Sequence, residues 1–107
     1  MSTKANRIEF HHILEGLYGG TKPHVYFQPP ENLQMEYPAI VYNRNDIQNN
    51  NADNIVYSQG TSYQVIVIDK NPDSAIVDRV SKFPTARFSR HYTANNLNHD
   101  VFMIMYK

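Results

Sequence analysis

The segment Thr61-Ser62-Tyr63-Gln64-Val65-Ile66-Val67-Ile68-Asp69 constrains this chain more than any other. A period of two puts Tyr63, Val65 and Val67 on one face of an extended strand and Ile66 and Ile68 on the other. Its second half is apolar on both sides, which predicts a central strand covered from above and below. The residues that follow, Asp69-Lys70-Asn71-Pro72-Asp73-Ser74, are helix-start chemistry: Asn71 as N-cap, Pro72 at the first helical position, Asp73 at the positive end of the dipole. The expected helix covers residues 72–83. It turns Ile76, Val80 and Phe83 inward and Asp78, Arg79 and Lys82 to water, and Pro84 stops it.

The remaining elements follow from the same rules. Phe10, Ile13, Leu14 and Leu17 fall on one face of a helix that starts near Ala5, with Thr3 or Ser2 as possible caps. It ends by Tyr18 before Gly19-Gly20. His24 to Phe27, cut off by Pro29-Pro30, predicts a short edge strand, and Pro38-Ala39-Ile40-Val41-Tyr42 a stronger one. Asn43 to Gly60 is crowded with asparagine (Asn43, Asn45, Asn49, Asn50, Asn51, Asn54) around a central Ile47, and is either a long loop or the excursion of a hairpin. Its few apolar residues would leave it mobile alone, as a solvated tip or a partner-contacting arm. Ala86 to Tyr92 and Asp100 to Tyr106, joined by the turn residues Thr93 to Asn98, predict an antiparallel hairpin. The fold class expected is α+β: one domain over residues 1–107, with a mixed or antiparallel sheet of about five strands flanked by two helices.

Ten Lys and Arg balance ten Asp and Glu, so the chain lacks the basic footprint of a dedicated nucleic-acid binder. The same balance leaves little repulsion between copies. There is no cysteine, so disulfides and thiolate chemistry are absent. No apolar run approaches a membrane span and the N-terminus leads into no signal-peptide core, so a soluble, non-exported protein without membrane partners is expected.

Five histidines invite a metal or acid-base role, but their spacing argues against one. His11 and His12 are adjacent on a helix, about 100° apart, and cannot share an ion as an i, i+4 pair does. In the last hairpin the expected register faces His91 with His99 and Arg90 with Asp100, the latter as a structural ion pair. Glycine-rich phosphate loops, nucleophile elbows and zinc-protease motifs are missing. Asp46 with Asp53, and Asp69 with Asp73, lie where aspartate caps and turns. No catalytic residue, cofactor or metal site is expected. Tyr26, Tyr37, Tyr42, Tyr57, Tyr63, Tyr92 and Tyr106 lie in or near strands, where core packing with a wet hydroxyl competes with use at an interface.

From Tyr37 onward the chain resembles the tail-terminator, or tail-completion, proteins of long-tailed bacteriophages. Three segments carry the likeness: Tyr37 to Tyr42 with the polar stretch after it, Tyr63 to Asp69 running into Asn71-Pro72-Asp73-Ser74, and Phe88 to Phe102, the most specific. The N-terminal helix matches only by position. The resemblance implies a homo-oligomeric ring, usually of six copies, at the head-proximal end of the tail tube. It also implies partners in the tail tube protein and the head-tail connector, and a channel through which DNA passes without specific binding. Localisation would be the neck of the virion, after assembly in the host cytoplasm. The candidate oligomer or partner interface is Arg44, Asp46, Ile47, Asn50, Asp53 and Tyr57 in the polar stretch, with Arg90, His91 and Asp100 in the last hairpin. Two rivals stay open: a non-catalytic protein-binding module, monomeric at micromolar concentration, and a small hydrolase or nuclease, which would need clustered His and carboxylate groups.

Overall fold

Tyr63, Val65 and Val67 are fully buried in the middle of a five-stranded sheet, as their alternation with Ile66 and Ile68 requires. The computed structural model describes residues 3–52 and 55–106, with residues 3, 46–52 and 55–59 described as backbone alone. In chain order the elements are α1 (Thr3–Tyr18), β1 (Val25–Phe27), β2 (Ala39–Ala52), β3 (Ile55–Asp69), α2 (Ala75–Ser81), β4 (Arg87–Ala94) and β5 (Leu97–Tyr106). The strand order is β1-β2-β3-β5-β4; β1 runs parallel to β2 and all other neighbours are antiparallel. The fold is therefore α+β with a mixed sheet. Among the described residues no helix is long and apolar enough to cross a membrane.

Both helices pack on one face of the sheet. Phe10 and Leu14 of α1 and Ile76 and Val80 of α2 meet Ile40, Tyr42, Tyr63, Val65, Val67, Phe102 and Ile104 in one core. Phe10 is its centre: the ring stacks on Tyr63 at 4.6 Å and Tyr106 at 5.2 Å, and meets Tyr42 edge-on at 5.7 Å. The other face carries a smaller cluster, Val41, Ile68 and Leu97, covered by Met35 and Tyr26. So β3 is buried on both sides by different partners.

The ends of the helices depart from the sequence expectation in several respects. The N-cap of α2 is Ser74, whose Oγ accepts the Ile76 amide at 3.2 Å, and not Asn71. Asn71 instead closes a turn, its Oδ1 accepting the Asp73 amide at 2.9 Å, after Asp69 Oδ1 has accepted the Asn71 amide at 3.0 Å. Two consecutive side-chain turns delay the helix to Ala75 and leave Pro72 in the turn. Beyond Ser81 the Lys82 and Phe83 amides bond back to Arg79 and Val80, so Phe83 still reaches the core from outside the helix. The first helix already runs at Thr3, which is thus helical and not its cap, while Ser2 lies outside the described residues. Its end is as expected, at Tyr18, with Gly19 and Gly20 both at φ +79°. That end contains no basic residue of its own. Arg79 of α2 supplies one, donating to Leu17 O and Tyr18 O at 2.6 Å each, and a Cβ on Gly19 would meet its guanidinium at 3.3 Å.

Val67→Asp places a carboxylate where relative exposure is 0%. The expected cost is about 3–5 kcal/mol, by desolvation of a charge or forced neutralisation. Thermal denaturation checks it: an unchanged melting temperature would mean that β3 is not the centre of the sheet.

Candidate functional site

The polar stretch from Asn43 to Gly60 takes the second of its two expected forms: it is a hairpin, not a loop. β2 and β3 stay paired through Asn43↔Gln64 and Ile47↔Thr61 out to Ala52↔Ile55, with irregularities at Arg44/Asp46 and Asn50/Asn51. The rest of the sheet does not follow them. β1 pairs with β2 only from Ile40 to Tyr42, and β5 pairs with β3 only from Thr61 to Asp69. Beyond Arg44 the two strands run on alone as an arm roughly 25 Å long at the usual rise per residue. The chain measures 49 × 25 × 23 Å, and its radius of gyration of 14.6 Å exceeds the value of about 13 Å typical of a compact chain near this length.

Of the candidate residues in this stretch, Asp46, Ile47 and Asn50 lie on the β2 side of the arm and Tyr57 on the β3 side. Asp53 lies outside the described residues. Arg44 belongs to the root: its amide donates to Gln28 Oε1 at 3.1 Å and its guanidinium lies 5.8 Å from the Phe27 ring, which also carries Arg7 at 4.6 Å. Arg44 thus ties the start of the arm to the end of β1.

The second group sits on the last hairpin, with a correction to its register. Ala94 pairs with Leu97 around Asn95-Asn96, both at positive φ (52° and 63°), as a two-residue primed turn requires. That turn shifts the pairs from Arg90 to Ala94 by one residue from the expected register, which returns at Phe88↔Phe102 and Arg87↔Met103 past an irregularity between Phe88 and Arg90. His91 faces Asp100, Tyr92 faces His99 and Arg90 faces Val101. Arg90 and Asp100 therefore point to opposite faces of the sheet and do not form the expected ion pair. Arg90 instead lies 5.8 Å from the Tyr92 ring, Tyr92 stacks on His99 at 4.6 Å, and His91 Nε2 is 3.2 Å from Asn98 Oδ1.

Strand β4 is the unexpected part of the site. Of its residues, Arg87 to Thr93 are all exposed, with Phe88 at 58% and Tyr92 at 38%, and β5 is its single strand neighbour. Phe88 was absent from the expected interface. Its signal in the sequence is the lack of any Val, Ile or Leu between Arg87 and Ala94, in contrast to Tyr63 to Ile68. The tyrosines divide accordingly: Tyr42 and Tyr63 are fully buried, Tyr37 and Tyr92 exposed.

His11 and His12 share Glu15 on α1, and the other histidines lie in separate places. Among the described residues no group of three or more His, Cys, Asp or Glu side chains could hold a metal ion. His24 bridges Glu36, at 2.9 Å, and Tyr18, at 3.0 Å, an arrangement that looks like a proton relay. The Tyr18 hydroxyl, however, donates to Pro38 O at 2.9 Å, and burial followed by Asp69 raises its pKa, so it is held as a neutral donor tying α1 to the segment before β2. A cleft of about 620 Å³ is lined by Ser62, Pro84, Thr85, Ala86, Arg87 and Met103 to Met105, with Arg87 its one titratable side chain.

His11 Nδ1 lies 2.7 Å from the buried Tyr42 hydroxyl. Burial lowers the His11 pKa from 6.5, Glu15 opposes the fall, and Arg7 and His12 add to it. The unfolded chain then takes up a proton first, so this stabilisation is present above the ordinary histidine pKa and is lost as pH falls through the folded value. Melts at about pH 8 and about pH 5 should show a smaller acid loss in His11→Gln than in the native chain. Equal losses would clear His11 of the effect. For the arm, amides of β2 beyond Arg44 should exchange at least roughly 100-fold faster than those of Val65 to Val67, because an isolated two-stranded ribbon is marginal in water. Equal protection would mean that the arm is held by contacts of its own.

Comparison with protein-family models, curated proteins and solved structures gives no match, so the function has to be argued from the arm, the exposed strand and the sequence resemblance.

Proposed function

We propose that this chain is a structural protein of the bacteriophage virion, a ring-forming tail terminator with no catalytic role. In this reading about six copies cap the head-proximal end of the tail tube, stop its polymerisation, join it to the head connector and leave a channel for DNA. The chain would be assembled in the host cytoplasm and reside in the virion neck. The observation that carries the reading is the arm: paired backbone of β2 and β3 running on past the ends of β1 and β5. A protruding ribbon has few contacts of its own to stabilise it, and a neighbour's surface supplies them. The resemblance from Tyr37 onward supports the same role, and zero net charge suits a channel that lets DNA pass without gripping phosphates.

Replacing residues 48–54 with a short Gly-Ser linker tests this directly. The expected product is a monomer with nearly native circular dichroism that no longer caps tail tubes, so infectious particles fall while filled heads accumulate. Rings in negative-stain images together with full phage yield would reduce the arm to a solvated tip and remove its support for the proposal. A native chain that stays monomeric at micromolar concentration would favour the single-copy binding module.

A further inference from the structure

We propose that β4 receives the arm of a second copy of this chain, the outer edge of β2 between Asn45 and Ala52 adding to the sheet as a sixth strand beyond β4. This pairing rests on the ring reading for the presence of several copies and names the two surfaces that meet.

The two free edges differ in how well they are protected. The β1 edge is three residues long, with Pro23 before it and Pro29-Pro30 after it, which keeps further strands away. The β4 edge is eight residues long, holds no proline, and past the irregularity at Phe88/Arg90 runs regularly to Ala94. The arm presents the complementary feature, since among the described residues β2 has no strand neighbour on its outer side once Gln28 has taken the Arg44 amide. Within one copy these edges cannot meet, because β3 and β5 lie between them.

Charge selects a second copy as the occupant. From Arg79 to His99 the chain carries Arg79, Lys82, Arg87 and Arg90 and no acidic residue, and the last two stand exposed on β4. In sequence the arm carries Asp46 and Asp53 and no Lys or Arg between Asn45 and Gly60, while Arg44 at its root lies over Phe27. A basic edge thus matches an acidic strand in chemistry and length. Each copy gives one arm and receives one, so the contact is heterologous and propagates until it closes, as a ring does.

Two half-dead chains test the pairing. Arg87→Glu with Arg90→Glu leaves the arm intact but makes β4 repel it; the linker-shortened chain leaves β4 intact but has no arm. Each alone should be monomeric by light scattering, at least roughly 100-fold weaker in self-association than the native chain, with an unshifted melting temperature. Mixed, they should form a one-to-one pair and no larger species, with slowed amide exchange from Arg90 to Ala94. If the double variant melts early, Arg90→Glu alone takes its place. Native-like rings from the β4 variant, or no pair in the mixture while the native chain forms rings, would overturn the pairing and leave the ring reading standing. A one-to-one pair from chains whose native form fails to cap tail tubes would uphold the pairing and sink the tail-terminator role.

Discussion

Everything else in this domain depends on how Phe10 is packed. Its ring lies parallel to Tyr63 of β3 and Tyr106 of β5 and edge-on to Tyr42 of β2, so one side chain of α1 joins three strands. Aromatic pairs at these distances add roughly 0.5–1.5 kcal/mol each beyond the area they bury. Two of the three tyrosine hydroxyls of the cluster are paired, Tyr42 with His11 and Tyr106 with Glu9, while that of Tyr63 is buried without a hydrogen-bond partner among the described residues. Burial raises the Tyr42 pKa, which keeps its hydroxyl neutral.

With α1 docked, the second helix is held by packing and by one charged contact. Ile76 and Val80 enter the same core, and Arg79 reaches the last carbonyls of α1. A guanidinium there satisfies acceptors that the helix cannot satisfy for itself. Both helices therefore lie on one face of the sheet, and neither covers β4. The sheet ends in an exposed strand on one side and throws out an unsupported arm from its middle. Residues Arg87 to Thr93 of the exposed strand lie outside the buried core, and a self-assembling protein offers such a strand to a neighbour.

The central strand was legible because burial on two faces leaves its mark residue by residue: Val65 and Val67 against the helices, Ile66 and Ile68 against the opposite cluster. The C-terminal stop of α1 was legible in Gly19-Gly20 for a similar local reason. The N-terminus of α2 differs from the sequence expectation because Asn71 and Ser74 are both good caps. Asn71 was already committed to a turn begun by Asp69, which only the three-dimensional path of the chain decides. In the last hairpin the turn residues were recognised but not the turn length. One residue of error there carried Arg90 to the face opposite Asp100.

The interface was the least legible part. Arg44 is polar and lies in the polar stretch, yet it serves the root of the arm. Phe88 reads as a core residue, yet it is exposed because no element lies over β4. By itself the sequence determined that there are two helices, where the middle of each lies, and which strand lies at the centre, since these follow from local periodicity and turn chemistry. Only the tertiary structure decided that the asparagine-rich stretch pairs as an arm, and that β4 closes the sheet uncovered. The physical reason is that pairing and exposure are set by which strands end where. Strand ends depend on neighbours far along the chain, and no single side chain encodes them.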